Sequence, residues 1–192
     1  MPDKPSYLGL LNAVACAETH AHAYLSAWAE TTDDPDVRAV LTTVAWREYE
    51  HGAAFAKRIN ELGFEVREIE DPKHEERMEI ARSDASDLEK LDALGILNFC
   101  SDDEPDIFDG FFRDHSIDVQ TGELIGRYIA EERDTLRLVY GCKAELESRG
   151  SGSGRGSDAR LASMEDKIDA VCRAVDELRQ IVCAQTMPAE SV

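Results

Sequence analysis

Glutamate and histidine side chains interrupt the apolar faces of the first two helices that the sequence predicts. On the first helix, the face traced by positions 11, 15, 18, 22 and 25 includes Glu18 and His22. On the second, the face traced by positions 37, 41, 44, 48, 51 and 55 includes Glu48 and His51. Such groups are unfavourable on a buried face unless they pair with one another or bind a cation. Both helices therefore place potential metal ligands in the core.

The segment Glu48-Tyr-Glu-His51 is an E-x-x-H motif, which puts a carboxylate and an imidazole on one face of a helix. Diiron and dimanganese carboxylate sites combine this motif with a glutamate from a facing helix. Carboxylate oxygens can bridge two cations and hold Fe(III), while imidazoles serve as terminal ligands. The motif thus predicts a dinuclear metal site, with Glu18 as the facing glutamate.

The second half of the chain repeats this pattern in part. Residues 44–51 align with residues 128–135, which places Glu132 near the centre of the apolar face of the last predicted bundle helix and Glu131 at the edge of that face. The position that corresponds to His51 is Thr135, so the second histidine of a symmetric site is missing. We expect Glu132 to be a ligand of an asymmetric site.

Several other positions stay open as ligands. Glu131 and Asp134 form an alternative pair, although Asp134 points away from the core face. His22 either hydrogen-bonds to a glutamate one turn away or supplies the missing imidazole. Glu89 is either a ligand or the partner of Ser86 in a capping box. The acidic loop predicted for residues 101–117 offers three further carboxylates, Asp102, Asp103 and Glu104.

The elements that position these residues form an all-α pattern. Helices are predicted for residues 6–30 and 36–62, from Ser86 through the apolar stretch to position 99, and for residues 118–147. Residues 63–83 show no helical period and, when extended, could span roughly 60 Å, more than the ~39 Å of a 26-residue helix. A connection of that length indicates a crossover between two hairpins. The pattern predicts a four-helix bundle of the ferritin type over residues 1–147.

The chain beyond the predicted bundle has a different composition. Residues 148–157 are rich in glycine and serine and predict a flexible linker. Residues 158–185 carry apolar side chains at alternating spacings of three and four, as in a coiled coil. We expect a homo-oligomer formed through this helix. The alternative is an amphipathic helix that folds back on its own domain.

Composition excludes several classes of function. The chain has 192 residues and a formal net charge of −19, which argues against binding to nucleic acids or anionic membranes. It contains no apolar run of about 18 residues and no leader sequence, so we expect a soluble cytoplasmic protein. The five cysteines form no CxxC pair and indicate reduced thiols.

Two segments resemble a known family. Cys16-Ala-Glu-Thr-His-Ala-His-Ala-Tyr-Leu and Val44-Ala-Trp-Arg-Glu-Tyr-Glu-His-Gly-Ala-Ala-Phe are similar to the first hairpin of rubrerythrin-like members of the ferritin-like superfamily. The resemblance covers residues 6–147 and is looser in the second half. It departs from the family in lacking a rubredoxin-like CxxC module and in having Thr135.

The resemblance implies a carboxylate-bridged dimetal centre that reacts with O2 or peroxide as a ferroxidase or peroxidase. By analogy Glu18 is a first-helix ligand, Glu48 and Glu132 are bridging ligands and His51 is a terminal ligand. Two iron ions per chain are expected, with manganese as the alternative. The competing hypothesis is a metal-free, vestigial bundle that serves as an oligomeric interaction scaffold.

The remaining histidines, His20, His74 and His115, are expected on the surface, and the aromatic residues Tyr24, Trp28, Trp46 and Tyr128 in the core.

Overall fold

A computed structural model describes residues 4–99 and 110–150. The described residues form five α-helices and one short 3-10 helix, with no strand among them, which confirms the all-α prediction. The α-helices are α1 (Leu8–Thr31), α2 (Pro35–Glu61), α3 (His74–Arg82), α4 (Asp87–Leu94) and α5 (Val119–Gly150), and the 3-10 helix is Ile96–Phe99. None of these helices is both long enough and apolar enough to cross a membrane.

Helices α1 and α2 form an antiparallel hairpin joined by a three-residue turn. The Asp34 carboxylate caps α2 by accepting hydrogen bonds from the backbone N–H groups of Asp36 and Val37, and Pro35 occupies the first helical position. At mid-length the two helices approach closely at Gly52. A Cβ atom there would lie 3.1 Å from Thr19 Oγ1. This close packing aligns the interrupted faces of the two helices.

The apolar core is divided into two layers. The first layer includes Leu11, Phe55 and Ile125, and the second includes Trp28, Leu41 and Val139. Between these two layers, each of α1, α2 and α5 carries at least one of the carboxylates predicted from the sequence as ligands, and α2 also carries the imidazole. The polar groups are therefore held from both sides by close-packed apolar side chains.

The crossover differs from the extended segment predicted for residues 63–83, because it contains α3. The inward face of this helix carries His74, Arg77, Met78 and Ala81. Since half of that face is polar, the helix produces no apolar period in the sequence. Ala81 is fully buried, and its carbonyl accepts a hydrogen bond from Thr31 of α1.

The third long helix of the predicted bundle is also shorter than expected. The capping box of Ser86 and Glu89 is present and begins α4. The helix ends after eight residues, because Gly95 adopts the left-handed conformation at φ 64° and closes it. The chain then continues as the 3-10 helix.

The last helix, α5, runs three residues into the linker predicted for residues 148–157. The chain divides into two units, and the first, Met1–Leu146, contains both layers of the core. The rest of the predicted linker, the predicted helix of residues 158–185 and the acidic side chains at 102–104 lie outside the described residues.

Asp118 ties the start of α5 to the hairpin. Its carboxylate accepts hydrogen bonds from Tyr7 just before α1, from Arg58 on α2 and from the backbone N–H of Thr121. Burial alone would raise the pKa of Asp118, but the hydrogen bonds from Thr121, Tyr7 and Arg58 outweigh it and hold the pKa well below its ordinary value.

We therefore expect Asp118→Asn to lower the free energy of unfolding at pH 7 by about 0.5 kcal/mol, a small value because solvent screens a half-exposed ion pair. A depressed folded-state pKa stabilises the protein above the unfolded-state pKa of about 4 and loses this effect as the pH falls further. Urea unfolding at pH 7 and pH 3 should show a smaller difference in stability between the variant and the wild type at the lower pH. The control is Glu123→Gln, which neutralises an exposed carboxylate on the same helix. An equal loss of stability in Asp118→Asn at both pH values would contradict the prediction.

Candidate metal centre

Four side chains from three helices meet between the two apolar layers. Glu18 comes from α1, Glu48 and His51 from α2, and Glu132 from α5. One oxygen or nitrogen atom from each lies within 4.8 Å of the others. The first three residues are buried and Glu132 is half-buried. The structure thus brings together four of the six ligands predicted from the sequence.

Three buried atoms of this cluster face one another without a hydrogen-bond partner among the described residues. They are Glu48 Oε2, His51 Nδ1 and Glu132 Oε1. His51 Nδ1 lies 3.1 Å from Glu132 Oε1 and 3.6 Å from Glu48 Oε2, as ion pairs that do not have hydrogen-bond geometry. Leaving a buried polar atom unpaired costs about 1–3 kcal/mol. An arrangement of three such atoms, two of them carboxylate oxygens, fits the donor set of a hard or borderline metal cation.

Without a metal, protons must compensate the buried charges. Burial alone would lower the pKa of His51, but its interactions with Glu132, Glu48 and Glu131 raise the pKa to about 10. Burial, followed by the nearby carboxylates of Glu48 and Glu132, raises the pKa of Glu18 to about 10. The metal-free site therefore holds protons on groups that would have to release them to a cation.

Glu131 orients the imidazole of His51. Its Oε2 lies 2.8 Å from His51 Nε2, so that nitrogen carries the proton donated to Glu131 and Nδ1 faces the other carboxylates. This is the arrangement by which a carboxylate fixes a metal-binding histidine. Asp134, the other member of the alternative pair, instead forms an ion pair with Arg47 at 3.1 Å.

Tyr128 performs the same role for Glu18. Its hydroxyl donates a 2.7 Å hydrogen bond to Glu18 Oε1. The ring of Tyr128 meets His51 edge-on at 5.0 Å between centroids and Phe55 at 5.2 Å. A residue expected only to fill the core therefore also positions one of the carboxylates.

The other two ligands predicted from the sequence lie apart from this cluster. His22 Nδ1 is 2.8 Å from the carbonyl oxygen of Ala45, which fixes that ring on the α1–α2 surface. There it contacts Tyr49 and Trp46, and Trp46 is 59% exposed rather than in the core as expected. Glu89 is exposed, and its carboxylate caps the start of α4 by accepting a hydrogen bond from the backbone N–H of Ser86.

Thr135 leaves the cluster with one imidazole, as the sequence predicted. Its buried hydroxyl accepts a hydrogen bond of 2.9 Å from Arg47. Arg47 also donates to the backbone carbonyl of Glu131 at 3.1 Å. An arginine thus fastens α2 to α5 through the position at which a symmetric site would have its second histidine.

A cavity of about 510 Å³ lies beside the carboxylates. Glu18, Glu48 and Glu132 form part of its wall, and most of the remaining wall is apolar. The crossover supplies another part of the wall with Ile69, Glu70, Asp71 and Pro72. A small molecule in this cavity would contact the carboxylate cluster directly.

Comparison with known proteins finds one informative similarity. The chain is 43% identical over 61 residues to a 3-demethoxyubiquinol 3-hydroxylase from Laribacter hongkongensis. The match spans 32% of this chain and only 30% of the hydroxylase. No family model matches the chain, and no solved structure matches it.

Proposed function

We propose that the protein is a dimetal carboxylate protein of the ferritin-like type that binds iron and reacts with O2 or peroxide. The observation that carries this proposal is a cluster of three buried atoms, from Glu48, His51 and Glu132, that face one another and make no hydrogen bond to any described residue. The partial similarity to a protein named as a hydroxylase supports an oxygen-dependent reaction. The rubrerythrin-like pattern of the first hairpin supports the same class.

In the proposed site, Glu18, Glu48, His51 and Glu132 would hold the metal ions. A bound pair of ferrous ions would supply two electrons, enough to reduce one hydrogen peroxide, with the uptake of two protons, to two molecules of water. Glu131 and Tyr128 would hold two of the ligands in their metal-binding orientations. The cavity would admit the oxidant and bring it to the open side of the carboxylates. Manganese would suit the same donor atoms.

We further propose that α1, α2 and α5 form three sides of a ferritin-like bundle and that α4 with the 3-10 helix occupies the fourth. Because the fourth side is built from short elements, its only described glutamate, Glu89, lies at the surface. We also propose that the chain forms homo-oligomers through residues 158–185.

The first test is the metal content of protein produced in medium rich in iron and manganese. We expect about two iron or manganese ions per chain, together with consumption of peroxide that depends on added Fe(II). Elemental analysis and an anaerobic ferrous-oxidation assay would measure the two quantities. Glu50→Gln, which neutralises an exposed glutamate next to the motif, should behave as wild type.

A content of one metal ion per chain would restrict the proposal to a mononuclear site weakened at Thr135. No metal, with added Fe(II) also failing to bind, would reject the metal proposal. The protonated network around His51 would then favour the second candidate, a metal-free interaction scaffold.

A further inference from the structure

We propose that His20, Asp71 and His74 form a second, separate metal site, which binds one divalent cation of the zinc type at the outer wall of the cavity. One ligand atom from each of the three residues lies within 4.8 Å of the others. Both histidines were expected on the surface. The structure instead places all three residues in partly buried positions where α1 meets the crossover.

The geometry of the two histidines favours a shared cation. Their ring centroids are 4.8 Å apart and the rings are tilted by 43°, so the rings do not stack face to face. His74 Nδ1 is buried and has no hydrogen-bond partner among the described residues. A merely structural contact between two imidazoles would leave that nitrogen unpaired, at a cost of about 1–3 kcal/mol.

Asp71 supplies the carboxylate and is itself held in place. Its Oδ2 accepts a 2.6 Å hydrogen bond from Arg77, and its Oδ1 accepts one of 3.0 Å from the backbone N–H of Lys73. Each carboxylate oxygen can accept a second interaction, so both contacts are compatible with metal binding. Arg77 therefore orients the carboxylate from outside, as carboxylate ligands of metals are commonly oriented.

Two imidazoles and one carboxylate form a donor set that suits Zn²⁺ and leaves one coordination position for water or another ligand. Tetrahedral metal–ligand bonds of about 2.0–2.2 Å place neighbouring ligand atoms about 3.3–3.6 Å apart. Because the three ligand atoms lie within 4.8 Å of one another, they would need to approach by at most about 1.5 Å on binding, which side-chain rotation can supply. The net charge of −19 on the chain favours cation binding generally.

The three proposed ligands come from separate parts of the chain, so a bound cation would connect those parts. His20 belongs to α1, Asp71 ends the extended part of the crossover, and His74 begins α3. His20 and Asp71 also line the cavity that reaches the carboxylate cluster. A cation bound here would cross-link the crossover to α1 and fix the outer wall of the cavity.

The test is a calorimetric titration of Zn²⁺ into the full-length Glu48→Gln variant, in which the central cluster is disabled. We expect one zinc ion per chain and a rise in melting temperature on binding. Adding His74→Asn or His20→Gln should each weaken zinc binding by about tenfold or more and remove the thermal shift. His115→Asn, at an exposed histidine, and Cys16→Ser, at a thiol on the same cavity, should leave binding unchanged.

Circular dichroism of each metal-free variant would establish that it is folded. Zinc binding that survives both histidine substitutions would overturn the proposal, and so would zinc binding lost in Cys16→Ser alone. The outcome is independent of the function proposed above. If the wild type binds no iron but Glu48→Gln binds zinc through His74, only the function proposed above fails. If the wild type binds two iron ions but Glu48→Gln binds no zinc, only the second site fails.

Discussion

Replacing Glu48 by alanine is expected to abolish metal binding at the carboxylate cluster and, at the same time, to raise the stability of the metal-free protein. Glu48 is only 4% exposed and faces the carboxylates of Glu18 and Glu132. Its Oε2 has no hydrogen-bond partner among the described residues. Removing one of three clustered buried carboxylates relieves desolvation and like-charge repulsion.

The expected gain in the free energy of unfolding of the metal-free protein is about 1 kcal/mol. The gain is modest because alanine also loses packing contacts and the ion pair with His51, which retains Glu131 and Glu132 as partners. Chelator-treated protein would be unfolded by urea, and metal content would be measured on untreated protein. Glu50→Ala on the same helix is the matched control.

Two results would contradict this prediction. An unchanged content of iron and manganese would remove Glu48 from the ligand set. A loss of several kcal/mol in the metal-free protein, with no metal bound in the wild type either, would show that Glu48 and His51 form a structural ion pair. In that case the cluster stabilises the fold and the scaffold hypothesis gains support.

Tyr128→Phe is expected to weaken metal binding by about 10- to 100-fold, the usual effect of losing a group that orients a ligand. The variant removes the 2.7 Å hydrogen bond to Glu18 and keeps the ring that packs against His51 and Phe55. Loss of one buried hydrogen bond should lower the free energy of unfolding by only about 1 kcal/mol. Affinity would be measured by competition with a chelator of known strength.

Tyr49→Phe serves as the control, because Tyr49 is 52% exposed and lies away from the cluster. If affinity is unchanged in Tyr128→Phe while Glu18→Gln abolishes binding, Glu18 is a ligand that needs no orienting partner. If neither variant changes affinity, Glu18 is not a ligand and α1 contributes only packing.

Much of the candidate site was predictable because helices convert sequence spacing into a shared face. The E-x-x-H spacing was enough to place Glu48 and His51 on one side of α2, and the short turn aligned them with Glu18. The alignment of the two halves then indicated Glu132. These inferences depend only on the helical period and on the hairpin.

What the sequence could not predict depends on side-chain rotation and on polar helix faces. Glu131 lies at the edge of the apolar face of α5, and its carboxylate reaches His51 because of the side-chain rotamer that it adopts. The signal for α3 was hidden because its inward face carries His74 and Arg77, so the approach of His74 to His20 could not be foreseen. The early end of the third helix did have a signal, Gly95, in a position typical of a C-cap.

The division of the core into two apolar layers has a consequence for protein engineering. Side chains in the layer around Phe55 and those in the layer around Trp28 belong to separate clusters. Energetic effects of substitutions add when the residues share no partners. A stabilising substitution in one layer should therefore combine additively with one in the other. The thermal stability of the scaffold could thus be increased from either end without altering the chemistry at its centre.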